Sequence, residues 1–307
     1  MFDIAVILIN YNSAQHTINC INSIVAKTSA NLSYQIIITD NCSAVDDYQL
    51  LKSYCASASV PNLELHRSHI NTGFGGGNMF GVQFANAKYL AFVNNDTLFL
   101  NDCLSELKDV LDSRPEIGIG GGQAFKENGD FMISLDHFAS PTREIIGRKF
   151  LEMIDGKKYP PRKKRYSEPV QVNFVPGSFM FVRSADFYDI GGFDTNIFLY
   201  YEETDLCIRL AKQQKFAYLI PQAEFIHLHG ASTERSLAIK KELKISLLYI
   251  IRKHYGWLGH KAVWLFLTVK YFFSGIIKAK NRAIFLLLLS GAPLSASLKM
   301  KQKIRRI

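Results

Sequence analysis

The chain has 307 residues, of which 48% are hydrophobic and 21% charged, and a formal net charge of +9. This balance excludes a disordered polyelectrolyte and is enough for one large core with additional helices. Five cysteines (Cys20, Cys42, Cys55, Cys103 and Cys207) show no metal-type pairing, and their odd number argues against a full disulfide framework, as expected for a reducing cytoplasmic compartment.

No cleavable signal precedes the first predicted strand, Ile4 to Ile9. A second apolar, β-branched run covers Gln35 to Thr39, and His16 to Ala26 between them has helical spacing. Strand, helix and strand in this order predict a parallel sheet with right-handed crossovers. Asn10, Tyr11 and Asn12 follow the first strand, and Asp40 and Asn41 follow the second. Polar residues at the carboxyl ends of such strands occupy the ligand-binding edge of an open α/β sheet. Asp40 also reads as an Asx turn or cap leading into a helix over Ala44 to Leu51.

A third strand is expected around Asn62 to His66, followed by NTGFGGGNMFG at 71–81. Its glycines come after the third strand rather than the first, which disfavours a dinucleotide-binding turn. They read instead as a loop that brings backbone close to a ligand, with a helix from about Asn78 to Ala87.

In YLAFVNNDTLFL, the apolar run Leu90 to Val93 reads as a buried strand that ends in Asn94, Asn95, Asp96 and Thr97. One carboxylate flanked by carbonyl-type side chains suits a hard divalent cation that bridges phosphates; the alternative is a simple Asn/Asp turn. Gly118 to Gly122 reads as a strand end, and KKYPPRKKR at 157–165 as an exposed basic loop that could meet headgroups or an acceptor pyrophosphate. A strand over Val170 to Val175 leads into Pro176, Gly177 and Ser178. GGFDTNIFLYYEETDL, Gly191 to Leu206, sets Asp194, Glu202, Glu203 and Asp205 around a Gly-Gly turn ahead of a helical pattern. Clustered acids at such a junction accept protons or hold cations, and their proximity separates their pKa values; the alternative is an acidic helix N-terminus favoured by the dipole. In FIHLHGAS at 225–232, His227 and His229 alternate, so an extended segment would point both to one face.

Residues 236–307 hold fifteen Lys or Arg and a single acid, Glu242, among long aliphatic and aromatic runs. This asymmetry points to an anionic surface, and the mixture of basic residues with Trp and Leu fits helices lying in a membrane interface. Nucleic acid is disfavoured because the basic residues do not line a polar groove. Lys270 interrupts the second apolar run, and the third falls short of the roughly 20 residues a spanning helix needs. The competing reading is a helical subdomain packed on the sheet, or a homodimer contact.

Six segments in order, VILINYNS (6–13), ITDNCSAVDD (38–47), NTGFGGGNMFG (71–81), FVNNDT (92–97), VPGSFMFVR (175–183) and GGFDTNIFLYYEETDLCIRL (191–210), make the chain resemble glycosyltransferase family 2 enzymes, close to the bacterial rhamnosyltransferase-type members. The resemblance implies a GT-A fold: α/β, a Rossmann-like and mostly parallel sheet flanked by helices, here with a C-terminal helical extension. It implies a nucleotide-sugar-binding half over 1–100, an acceptor and catalytic half over 101–235, and a basic, apolar, membrane-associating region over 236–307. The donor would be held by Asn10, Tyr11, Asn12, Asp40 (the base), Asn71, Gly73, Phe74, Asn78, Asn94, Asn95 and Ser178. Asp96, with His227 or His229, would hold Mn²⁺ or Mg²⁺, and Glu203 would be the general base, supported by Glu202 and Asp205. Two positions depart from the family pattern: Asn94 replaces the first Asp of its D-x-D signature, and Glu203 stands where Asp is usual. The implied reaction is inverting transfer of L-rhamnose from dTDP-L-rhamnose to a lipid-linked saccharide in O-antigen- or capsule-type synthesis, at the cytoplasmic face of the inner membrane. UDP-galactofuranose, UDP-glucose or UDP-galactose is the alternative donor, and a non-catalytic membrane-bound assembly partner the alternative class.

Overall fold

The structure, a computed structural model, describes residues 1–228 and 236–305. The first part alternates strands and helices: β1 (Phe2–Asn10), α1 (Ala14–Lys27), β2 (Tyr34–Asp40), α2 (Val45–Ser57), β3 (Leu63–Arg67), α3 (Gly73–Val82) and β4 (Ala87–Asn94). Next come β5 (Thr97–Phe99), α4 (Cys103–Ser113), β6 (Ile117–Phe125), α5 (Pro141–Ile146), α6 (Arg148–Ile154), β7 (Val170–Val172), β8 (Phe179–Arg183), α7 (Ser184–Asp189), α8 (Glu202–Lys212) and β9 (Phe216–His227). The chain then enters α9 (Leu237–Ile277), α10 (Ala279–Leu289) and two short 3₁₀ turns.

One mixed sheet runs in the order β3-β2-β1-β4-β8-β6-β9-β5, with β7 also on β9. Its longer ladders, β1 with β2 and β4, β2 with β3, and β6 with β9, are parallel, while β8, β5 and β7 pair antiparallel. Strands buried on both faces read as continuous apolar runs rather than alternating ones. Ile4, Val6 and Leu8 therefore pack with Ile18, Ile21 and Ile24 of α1 on one face, while Ala5 and Ile7 pack with Val82, Phe187 and Phe193 on the other.

Two predicted elements need correction. The glycine-rich segment is not a loop ahead of a helix at Asn78: it forms α3, which runs from Gly73 to Val82, and Ala87 already begins β4. The glycines are needed because α3 lies close on the sheet. A Cβ at Gly81 would come within 2.8 Å of Ile7 and 2.9 Å of Thr39, and one at Gly77 within 3.1 Å of Asn41. The strand expected over Val170 to Val175 pairs only as far as Val172, after which Phe174 makes an isolated bridge to Asp136.

The C-terminal region is a helical hairpin bent within α9 at Gly256 (φ 68°, ψ −166°), a left-handed conformation glycine adopts at little cost. The first limb carries Ile245, Leu248 and Ile251 into a third core with Ile197 and Ala139, both of which lie in loops rather than on the sheet. Among the described residues, no helix is long and apolar enough to cross a membrane.

Candidate active site

The carboxyl ends of β1 and β2 build a closed polar network. Asn10 Nδ2 donates to Asp40 Oδ1 (3.0 Å), Ser43 Oγ (3.1 Å) and Asp47 Oδ2 (2.8 Å), and Asn10 Oδ1 accepts from Thr17 Oγ1 (2.9 Å). Asp40 is fully buried; Arg67 Nε lies 3.3 Å from its Oδ2, near enough for an ion pair though outside hydrogen-bond alignment. The Arg67 guanidinium also stacks 3.9 Å above the Tyr48 ring. Asn12 caps the next turn by accepting from the Ala44 N–H at 2.8 Å, and Tyr11 beside it is exposed.

Asn41, next to Asp40, fixes the glycine segment. Its Nδ2 donates to Asn71 Oδ1 (3.1 Å) and the Gly73 carbonyl (3.0 Å), and its Oδ1 accepts from the Thr72 N–H (3.0 Å). Asn71 in turn accepts from the Gly73 N–H at 2.9 Å. Gly73 has φ +76°, and a Cβ there would sit 2.0 Å from the Phe198 carbonyl oxygen, which accepts from the Phe74 N–H at 3.0 Å. The glycine segment is thereby clamped to the acidic loop. Asn78 is buried and bonds Phe74 within its own helix, and Asn95 is buried against α1 through Ser13 (2.7 Å) and Thr17 (2.8 Å).

Asp96 follows β4 and Thr97 begins β5, which pairs with the end of β9 and sets Thr97 opposite His227. Asp96 is 2% exposed, and its Oδ1 lies 3.2 Å from His227 Nε2 without receiving a hydrogen bond among the described residues. A buried carboxylate oxygen lacking a donor is costly in a protein interior, and beside an imidazole nitrogen it fits a divalent cation. No three His, Cys, Asp or Glu side chains gather into a complete ion cage among the described residues. Two protein ligands suit an ion that completes its shell with phosphate oxygens and water. His229, the other predicted ligand, lies outside the described residues.

The acidic segment enters α8 through two consecutive left-handed residues, Tyr200 (φ 74°) and Tyr201 (φ 72°), a strained conformation for aromatic residues of the kind that gathers at functional sites. A cleft of about 270 Å³ opens beside them, lined by Asp136, Arg143, Pro176, Glu203 and Leu243 among others. Burial pushes the Glu203 carboxyl up to about 7; a backbone hydrogen bond opposes this and the Asp136 charge adds to it. Glu202 is buried with Oε1 unpaired, and burial followed by the Glu203 charge raises it well above the usual carboxylate range. Asp205 is not brought to the cleft. It is fully buried between His254 Nε2 (2.8 Å), Lys253 Nζ (2.6 Å) and Arg209 Nη2 (2.7 Å). Burial alone would raise its carboxyl, but the His254 hydrogen bond and the Arg209 and Lys253 charges hold it down to about 2.

The Asp96–His227 pair and the Glu203 cleft are neighbours through a short span. Pro176 lines the cleft, Gly177 lies against the Phe74 ring, and the Ser178 carbonyl accepts from the Asn94 N–H (2.9 Å) and Thr97 Oγ1 (3.3 Å). Two residues of extended chain reach at most about 7 Å, so the Pro176 wall of the cleft lies within that distance of the Ser178 carbonyl that holds the β4–β5 turn. Asn41 was read only as a strand-end residue, although it lies in ITDNC itself. Asp136 and Arg143 carry no motif, and Lys253 and His254 lie in a tail whose basic residues suggested lipid.

A mixed, mostly parallel sheet with polar residues at its strand ends has the architecture of a glycosyltransferase of GT-A type. The solved structure of GalNAc-T7 with UDP, GalNAc and Mn²⁺ superposes with a TM-score of 0.62 over 94% of this chain and 56% of that one, at 11% identity. Residues 5–191 match glycosyl transferase family 2, and the chain belongs to that family. Rhamnosyltransferase WbbL of Escherichia coli K12 is 29% identical over 230 residues, 72% of this chain and 83% of the relative. N-acetylglucosaminyl-diphospho-decaprenol L-rhamnosyltransferase of Mycobacterium tuberculosis H37Rv is 34% identical over 88 residues, which is 28% of this chain and 29% of that relative. The chain is thus a family 2 glycosyltransferase, similar to proteins named as rhamnosyltransferases.

Proposed function

We propose that this glycosyltransferase moves L-rhamnose, with inversion, from dTDP-L-rhamnose to a hydroxyl of a lipid-linked saccharide at the cytoplasmic face of the inner membrane. The observation that carries the catalytic part is Glu203, a cleft-lining carboxyl whose pKa of about 7 matches a general base working near neutrality. Its carboxylate takes the proton of the acceptor hydroxyl as that oxygen attacks the anomeric carbon, and the nucleoside diphosphate leaves from the opposite face. Asp96 and His227 would hold Mn²⁺ or Mg²⁺, which when bound supplies charge neutralisation to the diphosphate leaving group. Asp40, in its network with Asn10 and Arg67, is assigned to the nucleobase; Asn12, Asn71, Phe74, Asn94 and Ser178 border the path from base to sugar. Asn78 and Asn95 serve as supports for α3 and for the strand end. The printed names of the two relatives support rhamnose, and the diphospho-decaprenol in the second supports a lipid-linked acceptor.

Purified protein assayed across a nucleotide-sugar panel, with Mn²⁺ or Mg²⁺ and with chelator, tests this reading. Turnover of dTDP-rhamnose that chelator abolishes is the expected result. Turnover of a UDP-sugar instead would discard the rhamnose assignment and keep the mechanism. No release from any donor, even with lipid extract, would overturn catalysis in favour of a non-catalytic assembly partner.

A further inference from the structure

Beyond Gly256, α9 presents an apolar stripe that stays exposed among the described residues. Leu258, Leu265, Val269, Phe272, Phe273 and Ile276 are all exposed, Leu258 by 76%. At 100° per residue these positions fall within about a 100° arc of one helix face, so they form a single ridge. A second exposed apolar group stands on the short helices α5 and α6, far away in sequence: Ile145, Ile146, Phe150, Met153 and Ile154, with Met153 exposed by 74%.

The helices that carry the two groups pack against one another through α5. α5 lies against both limbs of α9, with Glu144 between the charges of Lys244 on the first limb and Lys270 on the second. Gly259 meets Pro141 so closely that a Cβ there would come within 3.2 Å of the proline ring. The cleft beside Glu203 is walled by the same elements, through Arg143 of α5 and Leu243 of α9.

The charge around this surface identifies its occupant. Lys149, Lys157, Lys158, Lys163 and Lys164 are exposed beside the α5–α6 group, and Lys270, Lys278 and Lys280 beside the α9 ridge. The one acid of residues 236–307, Glu242, is 1% exposed and turned inward to Ser297 Oγ (2.7 Å) and the Leu298 N–H (2.8 Å). A second copy of the chain in a two-fold dimer would bring the same predominantly basic face against itself, which like-charge repulsion disfavours, since the acids Glu144 and Glu152 of α5–α6 are already paired with Arg143 and Arg162. An anionic lipid surface accepts both the apolar ridge and the lysines around it.

We infer that α5–α6 and the distal limb of α9 form one two-part membrane-docking face, which seats the Glu203 cleft at the lipid surface where a lipid-linked acceptor can enter it. The inference rests on the transferase reading for the acceptor, and on exposure and charge for the lipid. Its distinctive content is the α5–α6 half, which carries none of the long aliphatic runs that mark the tail.

The test uses the full chain, co-sedimented with vesicles of phosphatidylglycerol and phosphatidylcholine or of phosphatidylcholine alone. Wild type should bind the anionic vesicles and release from them at high salt. Met153→Ser with Ile154→Ser, and separately Leu258→Ser with Ile276→Ser, should each reduce that binding about tenfold or more, since each removes two interfacial apolar side chains. Transfer to a lipid-linked acceptor in the vesicles should fall in step, while donor hydrolysis and circular dichroism stay at wild-type values. Unchanged vesicle binding in the α6 pair would overturn the two-part face. Sedimentation velocity showing a wild-type dimer that either pair dissolves would overturn the lipid assignment. Vesicle binding with the expected losses but no donor turnover by wild type would leave the face standing and remove the transferase reading instead.

Discussion

Around Asn10 and Asp40 the polar side chains are joined in one network, with Ser43, Asp47, Asn41 and Asn71 all engaged. Around Glu203 the opposite holds: Glu202 Oε1 and Arg143 Nε and Nη1 make no hydrogen bond, and Glu203 itself sits where burial penalises its charge. A satisfied network rigidifies and specifies one arrangement. On the proposed assignment the donor side is thus a preformed cradle, whereas the acceptor side carries unfavourable electrostatics that stability alone would remove. That is the pattern expected where a group must be reactive rather than comfortable.

The sharpest way to break this contrast is Glu203→Gln, which keeps shape and removes the base. A rate loss of about 10²- to 10⁴-fold in kcat is expected, with donor affinity unchanged, because Glu203 borders the acceptor cleft rather than the base network. Steady-state kinetics together with calorimetric titration of donor separate the two. Loss of donor binding in parallel with rate would merge the two regions into one and sink the division.

A smaller effect should come from the link between the halves of the chain. Asp205 ties α8 to α9 through Lys253 and His254, so it is a positioning residue for Glu203 two residues earlier. Asp205→Asn removes the buried carboxylate from the half-buried Arg209 and from Lys253 at the surface, and should cost about 2 kcal/mol in urea unfolding near neutrality. The sign with pH follows from its depressed folded-state value of about 2 against 3.8. Its stabilisation is complete above pH 3.8 and is lost as pH falls through 2. Wild type and variant should therefore differ fully at pH 5 and converge in strong acid.

How far each region could be read from sequence follows the same division. The donor cradle is local: Asn10, Asp40, Gly73 and Asp96 each sit within a few residues of a strand end or helix start, so periodicity and turn chemistry locate them. α3 was misread because glycines normally signal a loop, while here their missing side chains let a helix lie on Ile7 and Thr39. The acceptor side is assembled by distant chain segments. Asp136, Arg143, Glu203 and Leu243 meet only because α5 and α9 pack together, and no spacing rule brings residue 136 to residue 243. The basic composition of the tail points toward lipid, yet Lys253 and His254 within it pair with Asp205. Composition assigns a region a character without separating its two helix faces.

An effect of similar size discriminates best between a reactive Glu203 and an ordinary acid at a helix N-terminus. A carboxyl whose folded value is about 7 and whose unfolded value is 4.5 binds its proton more tightly when folded. The protein accordingly loses stability as pH rises from 4.5 through 7, and keeps that penalty above 7. Glu203→Gln abolishes the penalty, so the inactive variant should be more stable than wild type at pH 8, by on the order of 2 kcal/mol. The difference should close as pH falls to 4.5. An acid placed only for the helix dipole predicts the reverse, with the substitution costing about 0.3–1 kcal/mol at pH 8 and nothing once the carboxyl is protonated. Thermal unfolding of both proteins at pH 5 and pH 8 reads the sign directly. A variant less stable than wild type at pH 8 would return Glu203 to a structural role and remove the electrostatic contrast between the two sides of the site.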